Sequence, residues 1–159
     1  MEAIERKILG QLRRLRSARQ SISSEQEWIE ERLTDDHLQA ILPKLSIVSL
    51  HIMTALLNGE QTGVELAQQL NVTRGGITRA AKGILAMGLI VSAKHPEDKK
   101  KIYYSLTADG REIAIEHQKM HEKLNEKFAQ QIGQRYTTEQ LELFSQMLAD
   151  IQKMEDDFA

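Results

Sequence analysis

Apolar residues recur along the first part of the chain at helical spacing. Ile8, Leu12, Leu15, Ile22, Ile29 and Leu33 stand three, four or seven apart, which puts them on one face of a helix. The pattern predicts a helical stretch from Ile4 to about Leu33, broken at Thr34-Asp35-Asp36, whose side chains suit a cap. Leu45, Val48, Ile52 and Ala55 predict a second helix over Leu45–Leu57, closed by Asn58-Gly59 because glycine accepts a left-handed backbone. Two shorter helices follow. Gly63–Leu70 turns Val64, Ala67 and Leu70 inward; the next, capped by Thr73 and running to about Met87, turns Ile77, Ala81 and Ile84 inward and stops at Gly88. The period then shortens to two. Leu89–Lys94 and Lys101–Leu106 read as strands joined by His95-Pro96-Glu97-Asp98, with Ile102, Tyr104 and Leu106 alternating as a half-buried hairpin requires. Thr107 caps a long helix to about Ile132, closed by Gly133. Thr137-Thr138-Glu139-Gln140 has the form of a capping box opening a last helix, where Leu141, Phe144, Leu148, Ile151 and Phe158 keep a coiled-coil-like spacing.

The expected fold class is therefore mostly α with a small β-hairpin wing. Residues 1–159 form one domain in this reading: 45–107 is a winged helix-turn-helix unit, and 1–35 and 108–159 are a helical region whose apolar stripes find no partner in the central module. Stripes of that kind predict a homodimer. The 159 residues, 41% hydrophobic and 28% charged, suit an ordinary globular chain. With no cysteine, disulfides, thiolate metal sites and thiol redox sensing are excluded. Met1 to Gln20 hold no apolar stretch for a signal peptide or a bilayer span, so a cytoplasmic protein without membrane contact is expected. No serine or paired carboxylate stands in a catalytic arrangement, so an enzyme is not expected.

Charge is placed unevenly. The formal net charge is −2, yet Arg74, Arg79, Lys82, Lys94, Lys99, Lys100 and Lys101 fall in one short stretch opposed only by Glu97 and Asp98. Attraction to phosphate depends on the local field, and this stretch supplies one. Arg74, Thr78 and Lys82 are spaced i, i+4, i+8, with Gly75 and Arg79 beside them and Thr73 at the cap. That side of the helix lies opposite Ile77, Ala81 and Ile84 and suits the major groove of double-stranded DNA. Lys99, Lys100 and Lys101 at the hairpin would meet phosphates or a minor groove. For Gly75-Gly76, close approach to DNA and a frayed first turn are both open.

A second chemistry lies further on. His117 and His121 are one turn apart on the long helix, and His117 follows Ile113 on an apolar stripe. His51 sits among the apolar positions of the second helix, from where it can approach the pair. Three imidazoles suit zinc; by itself a histidine pair one turn apart is more often a surface or hydrogen-bonded feature.

Leu66-Ala67 through Leu70-Asn71-Val72-Thr73, then Gly88-Leu89-Ile90, Asp98-Lys99-Lys100 and Leu106-Thr107-Ala108-Asp109-Gly110 resemble the MarR family over roughly Leu45 to Leu148. The resemblance implies a dimeric DNA-binding regulator. One departure is Lys100, where the family's wing usually carries an arginine, and lysine cannot form the bidentate fork. Glu116-His117, with His121 one turn on and His51 early in the second helix, is similar to the zinc-responsive branch of these repressors. That similarity implies Zn2+ as corepressor, with His51, His117 and His121 as ligands. A fourth ligand is expected from the end of the first helix: Glu31 first, with Glu30, His37 or water as alternatives. Glu116 is expected to support the ligands, and Leu50 stands where a carboxylate would serve a second site. The same family admits another reading, a repressor released by a small aromatic or anionic ligand, with the histidines structural.

Overall fold

Polar caps start most of the helices. In the computed structural model, residues 3–19 and 23–157 are described. Of the first helical stretch, α1 (Ala3–Arg19) and α2 (Ser23–Glu30) are helical; Gln20, Ser21 and Ile22 lie outside the described residues. Asp35 accepts from the backbone of His37 and Leu38 and opens α3 (Asp36–Ile41), a short helix that apolar periodicity does not reveal. A 3₁₀ turn, Leu42–Lys44, with Pro43 near its start leads to α4 (Ile47–Ala55), where Ser46 accepts from the backbone N–H of Ser49. Leu45 therefore stands before the helix, although its side chain is in the core.

Thr62 and Glu65 form a capping box at α5 (Gly63–Leu70), and Thr73 caps α6 (Arg74–Ala86). Between them Asn71 takes the left-handed conformation, φ 51°. Asparagine tolerates that region better than most residues, which lets the chain turn sharply from one helix to the next. Three strands follow the two-helix unit in space: β1 (Gln61–Thr62), β2 (Ile90–His95) and β3 (Asp98–Leu106), ordered β1-β3-β2 and antiparallel throughout. In β2 and β3, Ile90 faces Leu106 and Ser92 faces Tyr104, with an irregularity between Ala93 and His95. β1 has two residues, too few for a period to appear in the sequence.

The chain forms two compact units, divided after Met120. In the first, Leu38, Leu42, Leu50, Met53, Leu56, Leu66, Ile77, Ile84, Leu89 and Ile90 are almost wholly buried, and Ile113 and Ala114 of α7 (Ala108–Phe128) complete the core. α4 packs on α6 and α6 on α5, so the exposed side of α6 has its direction set by that core. The second unit holds the last turns of α7, a π-helical turn over Ala129–Gly133, and α8 (Thr138–Asp156) opened by a Thr137–Gln140 capping box. Leu143, Phe144, Met147 and Leu148 of α8 are exposed, as are Ile4 and Leu15 of α1 in the first unit; Phe158 lies outside the described residues. Among the described residues, no helix is long and apolar enough to cross a membrane.

Candidate metal centre and nucleic-acid interface

His117 is fully buried. It continues the inward face of α7 begun by Gly110, Ile113 and Ala114, so its ring meets the core and requires polar partners there. It has them on both sides. Nδ1 lies 2.7 Å from Oγ1 of Thr54 on α4, and Nε2 lies 3.1 Å from a carboxylate oxygen of Glu25 on α2. The ring of His51, also on α4, is tilted against it with centroids 5.3 Å apart. His121 follows one turn later on the same helix. One ligand atom from each of Glu25, His51, His117 and His121 lies within 4.8 Å of the others.

The acidic member differs from the one expected. Glu31 is past the end of α2, its side chain is 73% exposed, and it pairs with Arg32 at 3.1 Å. Glu25 stands one turn before the fully buried Ile29, and that spacing turns it toward the interior. The place of Glu25 on the apolar stripe is the signal the sequence offers for it. Gln26 holds α2 in place by donating from Nε2 to the carbonyls of Leu42 and Leu45, just ahead of α4. Glu30 and His37 are exposed and outside the cluster, and Glu116 pairs with Lys119 at 2.6 Å. Leu50 is buried in the core.

Three imidazole nitrogens and one carboxylate oxygen match the donors zinc takes in tetrahedral sites, where ligand atoms stand about 3.3 Å apart. The observed spread of up to 4.8 Å would close by small side-chain movements. The chemistry of the donor set therefore fits the metal, and with Nδ1 of His117 occupied by Thr54 it is Nε2 that faces the carboxylate.

The basic face is built separately. On α6, Ile77, Ala81 and Ile84 are buried, whereas Arg74, Gly75, Thr78, Arg79 and Lys82 are exposed on the other side. The two glycines differ in kind. A Cβ on Gly76 would stand 2.8 Å from Val72 Cγ1, so packing against the turn demands glycine, whereas a Cβ on Gly75 would meet nothing within 4 Å. The first turn is held, because Thr73 Oγ1 accepts from Gly76 N at 3.1 Å. Thr78 donates its hydroxyl to the Arg74 carbonyl, leaving oxygen lone pairs outward. The hairpin turn is shorter than expected: β3 begins at Asp98, so Lys99, Lys100 and Lys101 lie on the strand itself. Asp98 pairs with Lys101 at 3.0 Å and accepts from the Lys100 backbone N–H. The lysine bond holds the Asp98 carboxyl below its ordinary range, and the same bond raises Lys101. The wing is thus braced at its tip, with Lys100 exposed.

Residues 48–133 match the HxlR-like helix-turn-helix family. The transcriptional regulator ZitR of Lactococcus lactis is 30% identical over 106 residues, 67% of this chain and 72% of that one. A crystal structure of that protein, described as a zinc-responsive MarR family member, superposes with a TM-score of 0.58 at 28% identity, covering 69% of this chain and 76% of that one. A cysteine-to-serine variant of ZitR has also been solved in complex with DNA. The regulator AdcR of Streptococcus pyogenes superposes over 96% of this chain and 98% of its own with a TM-score of 0.71; at 19% identity this likeness is one of fold. A Bacillus subtilis HTH-type regulator, YvnA, is 27% identical over 99 residues; the match covers 62% of this chain and 63% of that one.

Proposed function

The chain belongs to the MarR-type family of winged helix-turn-helix regulators, its DNA-reading core being an HxlR-like helix-turn-helix, and on that premise we propose that it is a homodimeric, DNA-binding transcriptional repressor with zinc as corepressor. The observation that carries the zinc reading is the convergence of Glu25, His51, His117 and His121 within 4.8 Å. Zinc held there supplies positive charge and a tetrahedral set of directions. The rest is done by the chain. His51 rides on α4, the helix that α6 packs against, while Glu25 brings α2 and His117 and His121 bring α7. Drawing the four donors together narrows the positions α4 can take, and α6 moves with it. Two recognition helices must lie about one duplex turn apart, ~34 Å, to read both halves of a palindromic operator. A ligand that favours this arrangement raises DNA affinity by the ratio of its affinities for the two states.

Thr73, Arg74, Gly75, Thr78, Arg79 and Lys82 are the proposed major-groove contacts, and Lys99, Lys100 and Lys101 the wing contacts to phosphate. The exposed apolar side chains of α1 and α8 support dimerisation through the helical ends. Relatedness to zinc-responsive ZitR favours genes of zinc uptake as targets. The test is zinc competition against a coloured chelator, on the native chain and on His117→Ala, followed by anisotropy on duplexes selected from a random pool. Tight binding of one zinc per chain, lost in the variant, and DNA affinity lost on chelation at fixed salt are the expected results. DNA affinity unmoved by the chelator refutes the corepressor role.

A second reading has one observation behind it. Lys44, Ser46, Arg79 and Met87 help line a cleft of about 340 Å³ between α4 and α6, a place where a small anionic ligand would press on the recognition helix. Release of DNA by an aromatic acid from metal-free protein would favour it.

A further inference from the structure

We infer that Thr54 is a positioning residue of the metal centre: its hydroxyl accepts a hydrogen bond from Nδ1–H of His117 while donating its own proton to the Leu50 carbonyl, which sets the neutral ring in the tautomer whose Nε2 lone pair is directed at Glu25. The inference rests on the metal-binding reading given above.

A threonine hydroxyl has one proton and two lone pairs. Thr54 Oγ1 lies 3.0 Å from the carbonyl oxygen of Leu50, one helical turn earlier, and 2.7 Å from Nδ1 of His117. It can therefore give its proton in either direction. If it donates to Nδ1, then Nε2 carries the ring's proton and donates it to Glu25, which closes the ligand atom to a metal. If it donates to Leu50, the oxygen accepts from Nδ1–H, and in the neutral ring that a metal requires Nε2 presents a lone pair 3.1 Å from the carboxylate. Two acceptors at that separation need a positive species between them, the situation a divalent cation relieves. A metal-ligating imidazole must place its other N–H on an acceptor, and His117 is fully buried, out of reach of bulk water. Thr54 is the acceptor the fold provides, and the Leu50 carbonyl is what allows it to accept. The hydroxyl also fixes the ring plane, because α4 carries both Thr54 and the neighbouring ligand His51.

The test compares zinc affinity of the native chain, Thr54→Val and Thr54→Ser, with nitrogen NMR of the zinc-loaded native protein. Valine keeps the shape and removes the acceptor, so zinc binding weakens by about 10- to 100-fold; serine restores most of it. The native spectrum shows His117 protonated at Nδ1 and metallated at Nε2. A valine variant that folds and binds zinc as tightly as the native chain overturns the inference, as does a native spectrum with the metal on Nδ1. Loss of the valine variant to misfolding leaves the native spectrum to decide. Failure of the native chain to bind zinc at all refutes the metal reading itself, a result distinct from either.

Discussion

Replacing Gly110 by alanine sets two effects of opposite sign against each other. Gly110 lies in the first turn of α7, and helix propensity alone gives alanine an advantage of about 1 kcal/mol there. Packing says otherwise. The new methyl would overlap the carbonyl oxygen of Leu89 outright, stand 2.8 Å from its carbon and 3.3 Å from Leu106 Cδ2. Leu89 cannot retreat cheaply, since its carbonyl accepts from the backbone N–H of Thr107 at 3.1 Å and from the Thr107 hydroxyl at 3.0 Å. The same hydroxyl accepts from Gly110 N at 3.1 Å and shares its one proton between the Leu89 carbonyl and the Gly88 carbonyl, the latter at 2.8 Å. Moving the strand entry off α7 would strain or break two hydrogen bonds worth about 0.5–1.5 kcal/mol each. Overpacking adds about 1–3 kcal/mol. Set against the propensity gain, the net loss comes to about 1–5 kcal/mol, a large share of a typical domain's stability. Urea unfolding followed by circular dichroism reads it directly. A variant within about 0.5 kcal/mol of the native chain, or more stable, would refute the packing argument and leave propensity as the winner.

Glu25→Gln is expected to weaken zinc binding more than tenfold, above about 1.4 kcal/mol, while Glu31→Gln leaves it unchanged in the same chelator competition. Gly75→Ala should stabilise the fold by up to about 1 kcal/mol and weaken DNA binding, whereas Gly76→Ala, facing Val72, should destabilise it; thermal unfolding and anisotropy separate the two. Hydrogen bonds from the Thr62 backbone and hydroxyl hold the Glu65 carboxyl below the ordinary glutamate range, with a smaller contribution from Lys101. A depressed folded value means that this capping contribution is complete above the ordinary range and disappears as pH falls through the folded value. An NMR titration should place the Glu65 midpoint below that of a free glutamate, and Glu65→Gln should remove this part of the acid dependence.

What could be read in advance followed the range of the interactions. The recognition helix was legible because Ile77, Ala81 and Ile84 repeat locally, and the hairpin because Tyr104 and Leu106 alternate. β1 was hidden because two residues have no period. For the histidine cluster, helical spacing paired His117 with His121 and set His51 within reach of them, and the family resemblance made all three expected ligands. Glu25 had only its place on the apolar stripe as a guide and Thr54 had none: they meet His117 from 92 and 63 residues away. Lys99 and Lys100 were left outside the strand because proline and acidic residues read as loop, although pairing with β2 carries the strand back to Asp98.

Three imidazoles and one carboxylate contain no soft atom. Monovalent copper, which prefers sulfur, gains little from such a nest of donors. Cupric and nickel ions are stronger competitors, for at nitrogen ligands the natural order of affinity ranks copper(II) above zinc. Ligand type alone would therefore admit the wrong ion. Selectivity falls instead on shape: the donors arrive from three separate helices, and a cation that prefers a square plane must bend that framework to be held. Under the proposed function, a change in helix spacing with every ligand kept would alter which metal the site prefers.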